Sequence, residues 1–417
     1  MLSADLEGTA IEGLGVRRSV TEGLALKSLF YLGEATIQEL ADGLCIAPFI
    51  VEGIFQRLKK DQLMQAVGLS PSGHHRVNLT GAGRARAAEL LSVDQYVGAV
   101  PVSLAAYIER VKSQSIRDIS VTPADVKDAF KEMVLDESML AQLGTSVISG
   151  RAIFLYGPPG TGKTTVAEHL SEIFRKESVW IPHAIEVDGQ IISVFDDHVH
   201  ERVEGAGGMA GDNRWVRCRR PRLMVGGELT IEMLDLQFNP ATHFYTAPVQ
   251  MRANNGFLIV DDFGRQRIPP ADLLNRWVVP LDRRVDFLTM VGGKKLQIPF
   301  DLFVVFATNL DPATVVEEAF LRRIQTKINL GKVTREQFHE IFKRACTAAN
   351  VKYDMGLVDD VMKRIEHEFE QPIRACHPRD LVNQITWRAK YEQKPAALSL
   401  ESLHEACRAY FLTRSEP

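Results

Sequence analysis

One stretch constrains the fold of this chain more than any other: Gly157-Pro158-Pro159-Gly160-Thr161-Gly162-Lys163-Thr164. It follows an apolar run, residues 152–156, and precedes a helical pattern that begins at Thr165. Glycines in such a loop let backbone N–H groups turn toward an anion, and the N-terminus of the following helix adds donors. The spacing places Lys163 to reach the β- and γ-phosphates of a nucleotide and the Thr164 hydroxyl to bind Mg²⁺. We therefore predict a strand, a phosphate loop and a helix that hold a nucleotide.

Bulk composition restricts the class of protein. The 417 residues are too many for one typical domain, and a content of 45% hydrophobic and 24% charged residues is ordinary for a globular protein. A net charge of −4 argues against a globally basic nucleic-acid binder. The five cysteines lie far apart, which argues against a zinc site and fits a reducing compartment. Without a targeting pattern or an apolar run of bilayer length, we expect a cytoplasmic protein that does not insert into membranes.

Two carboxylates follow a second apolar run. Residues 257–260, Phe-Leu-Ile-Val, read as a strand buried on both faces of a parallel sheet, and Asp261-Asp262 come directly after it. Side chains at the carboxyl end of such a strand lie at the ligand-binding edge of the sheet. Asp261 is placed to hold Mg²⁺ through water, and Asp262 to orient or deprotonate the attacking water. The other interpretation is a pair of carboxylates that caps a loop.

Three further polar positions extend the predicted site. Asn309 follows the apolar strand 302–307 and either hydrogen-bonds the γ-phosphate or merely starts a turn. Arg322-Arg323 precede a last strand, and one of them either reaches a neighbouring subunit's nucleotide or belongs to a solvated pair. Arg379 lies in the first turn of a predicted helix, from which a cation can be aimed at a γ-phosphate across a domain cleft.

In this order, the phosphate loop, Asp261-Asp262, Asn309, Arg322-Arg323 and Pro378-Arg379-Asp380-Leu381 resemble an AAA+ ATPase over roughly residues 120–417. The resemblance implies the roles of Walker A, Walker B, sensor 1, arginine finger and sensor 2. It also implies a Rossmann-like P-loop α/β core with a parallel sheet, then a helical lid. ATP and Mg²⁺ are the implied cofactors, and members form homo-oligomeric, usually hexameric, rings that remodel protein or nucleic acid. Many members have Glu where this chain has Asp262, so slow hydrolysis or a nucleotide switch stays open.

The N-terminal part is predicted to be a small α+β domain. Residues 24–63 read as three short helices, with a capping box from Thr36 to Glu39, and a strand–turn–strand follows in residues 64–79. This order resembles a winged helix, about residues 21–91, which implies DNA binding through the third helix. Residues 1–90 contain nine Lys/Arg and ten Asp/Glu, so no basic footprint is present. Protein docking is favoured here, and DNA contact is the alternative.

Two stretches bear on the subfamily. Residues 285–290 and 296–300 read as a β-hairpin before the Asn309 strand, which looks like the insertion in MoxR-like and related AAA+ proteins. In the long stretch 188–255, Trp215 and its neighbouring arginines either line a pore or lie on a surface hairpin where Trp215 covers apolar surface.

We therefore expect an ATP-hydrolysing, chaperone-like AAA+ oligomer that remodels a protein complex. The expected divisions are a flexible lead-in, residues 1–20; a winged-helix-like domain, 21–91; a linker, 92–120; the AAA+ core, 121–331; and the lid, 332–417. The nucleotide-binding set comprises Gly157, Pro158, Pro159, Gly160, Thr161, Gly162, Lys163, Thr164 and Thr165, with Thr164 and Asp261 at the metal. The catalytic set comprises Lys163, Asp262, Asn309, Arg322, Arg323 and Arg379.

Overall fold

The computed structural model describes residues 13–69, 75–174, 177–205, 208–209, 211–315 and 318–411. Most of the predicted lead-in, the tip of the first strand–turn–strand and the last six residues therefore lie outside the described part. Helix α1 (Arg18–Leu32) begins earlier than the apolar pattern indicated. Its N-cap residue, Arg17, makes no side-chain cap hydrogen bond. Because no capping residue marks this helix start, the sequence offered no local signal for it.

The N-terminal unit contains the helices and the strand–turn–strand that the sequence predicts, and one strand, β1, that it did not. After α1 come β1 (Glu34–Thr36), α2 (Ile37–Leu44), α3 (Pro48–Lys60), β2 (Met64–Leu69), β3 (His75–Leu79) and α4 (Gly81–Val93). The strands form an antiparallel sheet in the order β1-β3-β2. The capping box between Thr36 and Glu39 is present, which confirms that prediction. The apolar faces of α1, α2 and α3 close one core with Val77 and Leu79 of β3.

The segment predicted as a linker, 92–120, takes part in a second sheet. It contains β4 (Val102–Ser103) and α5 (Leu104–Ser113), and β4 pairs with β7 (Ala184–Val187). This sheet has the order β11-β12-β8-β7-β4, where β8 is Gln190–Ser193, β11 is Gln237–Phe238 and β12 is Tyr245–Thr246. Ala184 and Ile191 also join the core of the N-terminal unit. The segment therefore ties the N-terminal unit to the rest of the chain by packing as well as by covalent connection.

A five-stranded parallel sheet forms the centre of the molecule, as predicted. Its order is β10-β13-β16-β5-β17, with β5 Ile153–Tyr156, β10 Arg222–Val225, β13 Phe257–Val260, β16 Phe303–Thr308 and β17 Thr326–Asn329. Alternate residues of β13 enter two different cores, Phe257 and Ile259 on one face, Leu258 and Val260 on the other. Burial on both faces is why this strand is apolar without interruption. Strand β16 lies between β5 and β13, so the ends of these three strands are neighbours.

Helices cover the sheet and lead into it. Helix α8 (Lys163–Glu172) follows the phosphate loop and contacts β5, β13 and β16. The remaining helices before the lid are α6 (Pro123–Ala129), α7 (Glu137–Ile148), α9 (Val249–Arg252), α10 (Pro270–Arg283), α11 (Pro312–Val315) and α12 (Glu318–Leu321). Trp277 of α10 is fully buried against Phe300 and Phe306. The core is thus an α/β fold with a parallel sheet.

The pore interpretation of Trp215 is wrong. Trp215 belongs to β9 (Trp215–Arg219), which pairs antiparallel with β6 (Ser178–Pro182), and only 4% of its surface is exposed. The neighbouring Arg214 is also buried, where Nη1 donates to the carbonyls of Leu14 and Pro101 at 2.8 and 3.2 Å. Trp215 and Arg214 are therefore interior side chains. They are buried because β9 pairs with β6, a strand from a distant segment of the chain. On the side of β13 opposite β16, the neighbouring strand is β10, which also lies inside the long stretch 188–255.

The hairpin before β16 is confirmed. Strands β14 (Val285–Thr289) and β15 (Lys295–Pro299) pair antiparallel. The Asp286 carboxylate of β14 is fully buried. Its two oxygens accept hydrogen bonds from Nη1 and Nη2 of Arg276 on α10, at 2.6 and 3.1 Å. A buried bidentate pair of this kind fixes orientation as well as position. The hairpin is therefore held against the helix that follows Asp261-Asp262.

Four helices form the C-terminal unit, as predicted: α13 (Arg335–Ala348), α14 (Met355–His367), α15 (Cys376–Tyr391) and α16 (Leu400–Tyr410). They share a core that includes Phe338, Phe342, Val358, Leu381 and Leu403. Helix α15 begins two residues before the predicted start at Pro378. Among the described residues, none of the helices has the length and apolar character needed to span a bilayer.

Candidate nucleotide-binding site

The phosphate loop runs from the end of β5 into the first turn of α8. Gly162, the N-cap residue of α8, has a φ of 89°, a left-handed conformation that favours glycine. Gly157 has a φ of 144°, and a Cβ built there would lie 2.3 Å from the carbonyl oxygen of Leu330. The loop therefore needs glycine at both positions, one for the backbone angle and one for close approach to the chain after β17.

Lys163 points into this loop. Its Nζ donates to the carbonyl oxygens of Gly157 and Pro158, at 3.0 and 2.8 Å, and the side chain is buried. Burial lowers the pKa of the Lys163 ammonium, and the nearby carboxylates Asp261 and Asp262 act in the opposite direction. The Thr161 hydroxyl donates to the carbonyl of Pro158 at 3.0 Å. The loop thus gathers a cation and the start of a helix around one point, as anion binding requires.

Thr164 and Asp261 come together as predicted. The Thr164 hydroxyl lies 3.0 and 2.9 Å from the two carboxylate oxygens of Asp261. The side-chain amide of Gln266 donates to the carbonyl oxygen of Asp261 at 2.7 Å, which holds the backbone at the end of β13. A hydroxyl and a carboxylate are hard oxygen donors, and Mg²⁺ takes few protein ligands of this type together with phosphate and water. These two residues fit such an ion.

Asp262 and Asn309 form the second contact at this edge. The Asn309 side-chain amide donates to Oδ1 of Asp262 at 3.0 Å. Asp262 has a φ of 48°, unusual for a residue with a Cβ, and its carboxylate is exposed. Two bonds across β13 and β16 fix this arrangement: the Phe263 N–H donates to Ala307 O, and the Thr308 hydroxyl donates to Phe263 O, both at 2.7 Å. The carboxylate is therefore held where a water molecule can reach it.

The structure distinguishes the two loop arginines. Arg323 donates from Nε to the carboxylate of Asp282 on α10 at 2.8 Å, whereas Arg322 is exposed. Both follow α12 and precede β17, as the sequence predicts. Thr165, also assigned to the nucleotide, is exposed in the first turn of α8. Arg322 is therefore the more exposed of the two side chains.

Arg379 makes no contact with the phosphate loop among the hydrogen bonds and ion pairs of the described residues. It is 72% exposed, and its Nε lies 3.6 Å from a carboxylate oxygen of Asp380. The residues that do contact the loop lie just before it: the Cys376 N–H donates to Gly160 O at 3.2 Å. A Cβ at Gly160 would lie 2.6 Å from Cys376 Sγ and 3.3 Å from Cδ of Arg374. Sequence reasoning missed this contact, because no pattern around these residues indicates it.

A second contact joins the C-terminal unit to the residues beside the loop. Nη1 of Arg344 on α13 donates to the carbonyl oxygens of Lys131 and Met133, at 2.9 and 3.2 Å. Met133 in turn lies close to Gly162, since a Cβ there would be 3.6 Å from Met133 Cε. The helical unit therefore contacts the core at and beside the phosphate loop, and we call it the lid below, after the AAA+ resemblance.

Burial of His377 in this lid predicts a dependence of stability on pH. The ring packs against Tyr410 and Phe411, and its Nδ1 accepts the N–H of Arg374 at 3.3 Å. Burial, together with the charge of Arg374, lowers the pKa of His377 from 6.5 to about 4. Between these values the unfolded chain binds more protons than the folded one. The contribution of His377 is therefore complete above pH 6.5 and is lost as the pH falls toward 4.

His377→Gln supplies the matched comparison, because it keeps an acceptor for the Arg374 N–H and cannot titrate. We expect wild type to lose stability relative to this variant as the pH is lowered from 7 to 4. Urea unfolding of both proteins at several pH values measures the difference. A difference in unfolding free energy that stays constant over this range would contradict the assignment.

Comparisons with known proteins agree with the loop geometry. Residues 152–184, which contain β5, the phosphate loop and α8, match the family model described as AAA domain (dynein-related subfamily). This segment is similar to part of an AAA domain. Residues 334–409, the helices of the lid, match a model described as a domain of unknown function, DUF8689. No curated protein matches the sequence significantly.

Two solved structures are distantly similar to this chain. A mutant of Thermotoga maritima RuvB is 12% identical, with 71% of this chain and 72% of that chain covered and a TM-score of 0.37. NtrX from Brucella abortus in complex with ATP is 14% identical, with 67% and 58% covered and a TM-score of 0.40. At these TM-scores neither structure informs the role of this chain, which is argued below from its own residues.

Proposed function

We propose that this protein is an AAA+ ATPase that hydrolyses ATP in a homo-oligomeric ring and uses the energy to remodel a protein complex. The observation that carries the proposal is the pairing of two contacts at one sheet edge, Thr164 with Asp261 and Asn309 with Asp262. The first pair suits nucleotide binding. The second adds a carboxylate and an amide that binding alone does not need.

Each residue has a chemical task in this proposal. Lys163 neutralises charge on the β- and γ-phosphates, and Thr164 and Asp261 would hold Mg²⁺, which would supply further positive charge to the phosphate chain. Asp262 accepts a proton from the attacking water, and general-base catalysis of this kind contributes about 10²–10⁴-fold. Asn309 positions the water or the γ-phosphate. Arg379 couples the γ-phosphate to the lid after a lid movement, since it is exposed in this arrangement.

The neighbouring protomer completes the site. Arg322 or Arg323 acts on the nucleotide of the next subunit, as an arginine finger does. The AAA+ resemblance suggests six subunits. Arg322 is exposed on the connection between β16 and β17, and Arg323 donates to Asp282 in the same chain. Either arginine is therefore a candidate for the finger.

A mixing experiment tests the shared site. Lys163→Ala and Arg322→Ala/Arg323→Ala should each be inactive alone, because each removes one half of every site. In a 1:1 mixture, about a quarter of the sites combine an intact loop with an intact neighbouring arginine, since head-to-tail interfaces pair different surfaces. We expect ATPase activity to return in the mixture. Mixing two preparations of the same variant is the control, and no recovery after subunit exchange would contradict a finger in trans.

The N-terminal unit supports a protein substrate over DNA. Phe49, in the first turn of α3, is 62% exposed, and an exposed aromatic side chain suits a protein contact. Of the basic residues at the other end of α3, Arg57 lies 3.2 Å from the carboxylate of Glu22 in the same unit. The winged-helix-like assignment rests on the order of elements. The DNA alternative predicts binding that weakens steeply with salt, which this surface is poorly built to give.

A trapping experiment tests the remodelling role. Asp262→Asn should bind ATP and retain its substrate, because release needs hydrolysis. Lys163→Ala, which we expect not to hold ATP, is the matched control in the same pull-down. Enrichment of specific proteins with Asp262→Asn alone supports remodelling of a protein complex. Recovery of nucleic acid alone would favour the DNA alternative.

A slow nucleotide switch is the second candidate, because Asp262 replaces the glutamate of many AAA+ proteins. Aspartate is one methylene shorter, and Asn309 already engages its carboxylate. If the shorter reach limits the rate, Asp262→Glu should hydrolyse ATP faster than wild type in a steady-state assay. Ordinary wild-type turnover that Asp262→Glu does not increase would rule out the switch.

A further inference from the structure

A second lid arginine, Arg374, packs against the phosphate loop. Arg374 is five residues before Arg379, outside the motif that the AAA+ resemblance identified. Its side chain packs on Gly160, where a Cβ would lie 3.3 Å from Cδ and 3.6 Å from Cβ of Arg374. One backbone hydrogen bond joins the segment to the loop, from Cys376 N–H to Gly160 O, and the Arg374 N–H donates to the ring Nδ1 of His377 within the lid. These bonds hold the backbone of Arg374 beside Gly160.

The guanidinium group of Arg374 lacks a partner for one buried donor. Its Nε is fully buried and makes no hydrogen bond with any residue that the structure describes. Within the same part of the chain, the ion pairs include no carboxylate within reach of Arg374, whereas Arg379 has Asp380 beside it. A buried donor without an acceptor costs about 1–3 kcal/mol. A residue kept in this state beside a phosphate loop is suited to an anionic ligand.

We propose that Arg374 binds the phosphate chain of the nucleotide held by its own protomer. The inference rests on the proposed ATP binding and adds a second cation to it, from the lid side of the loop. Lys163 approaches from the loop itself, so the two cations belong to different structural units. A guanidinium can donate two parallel hydrogen bonds to phosphate oxygens, which fixes orientation as well as adding attraction.

The position of Arg374 also gives the lid a direct role in affinity. Arg374 already contacts Gly160 in this arrangement of the lid. Arg379, in contrast, is exposed. Nucleotide bound between Lys163 and Arg374 would therefore hold the lid and the core together. Arg374 is expected to affect how tightly ATP binds, and Arg379 to act in the later steps that need a shifted lid.

The test compares ATP and tripolyphosphate binding by four full-length proteins. Arg374→Met keeps most of the side-chain stem that packs on Gly160 and removes the charge, while Arg374→Lys keeps the charge. Arg408→Met changes an exposed arginine elsewhere in the lid and serves as the control. Calorimetry should show about tenfold weaker ATP binding for Arg374→Met, the size expected for one charge-assisted contact, and less than about threefold for the other two variants.

Tripolyphosphate separates a phosphate contact from a base contact. We expect Arg374→Met to weaken the binding of tripolyphosphate by the same factor as the binding of ATP. Displacement of a fluorescent ATP analogue measures the affinity for tripolyphosphate. The proposal would be overturned if Arg374→Met bound ATP as tightly as wild type and its thermal unfolding were unchanged. It would also be overturned if the substitution weakened the binding of ATP but not the binding of tripolyphosphate. If wild type itself bound no ATP, the proposed function would fail first, which is a distinguishable result.

Discussion

Asp262→Asn should lower ATP turnover by about 10²–10⁴-fold while ATP affinity changes little, because it removes a proton acceptor without disturbing the phosphate loop. The asparagine side chain is nearly isosteric and can still accept the Asn309 amide, which lies 3.0 Å from Oδ1 of Asp262. Phosphate release at saturating ATP measures turnover, and calorimetry measures affinity.

Asp311→Asn provides the matched control for this substitution. Asp311 lies on the same edge, two residues after Asn309, and its side chain accepts only the N–H of Ala313 among the hydrogen bonds of the described residues. We expect this variant to turn over ATP within about twofold of wild type, as surface substitutions usually allow. Turnover of Asp262→Asn within about tenfold of wild type would show that Asp262 is not the base.

Lys163→Ala should abolish measurable ATP binding, and this is the second large effect. Lys163 is the buried cation within the phosphate loop, and losing one partner of a buried, hydrogen-bonded charge pair costs about 2–5 kcal/mol. A cost of about 3 kcal/mol corresponds to more than a hundredfold loss of affinity. Calorimetric titration with ATP measures the loss directly.

Two observations separate this effect from unfolding. Lys163 also donates to the carbonyls of Gly157 and Pro158, so the thermal unfolding of the variant without nucleotide should be measured beside wild type. Lys363→Ala, an exposed lysine on α14, should bind ATP as wild type does. Near-normal ATP affinity of a folded Lys163→Ala protein would refute the assignment of the loop.

Sequence reasoning reached the core of the site because its signals are local. The phosphate loop, the Asp261-Asp262 pair and Asn309 each follow an apolar strand, and parallel strand ends share one edge. The contacts at the edge, Thr164 with Asp261 and Asn309 with Asp262, are consistent with that expectation. Each prediction used a short segment and one general rule of sheet construction, so it needed no knowledge of distant pairing.

Features that depend on contacts between distant segments of the chain could not be predicted in this way. Strand β10 is four residues long, lies at the edge of the sheet and alternates exposed and buried side chains, so it lacks the apolar run that marked β13. Trp215 is buried because β9 pairs with β6, a strand far from it in the sequence. Arg374 lies beside the phosphate loop only because the lid packs on Gly160. In each case the decisive contact comes from tertiary structure.

The most direct test of the account is phosphate release by the purified wild-type protein at saturating ATP and Mg²⁺, measured over a range of protein concentrations. The shared site predicts turnover well above that of Lys163→Ala. It also predicts that activity per protomer rises with protein concentration until assembly is complete, because each site needs an arginine from a neighbour. Phosphate release no greater than that of Lys163→Ala at any protein concentration would contradict the central claim.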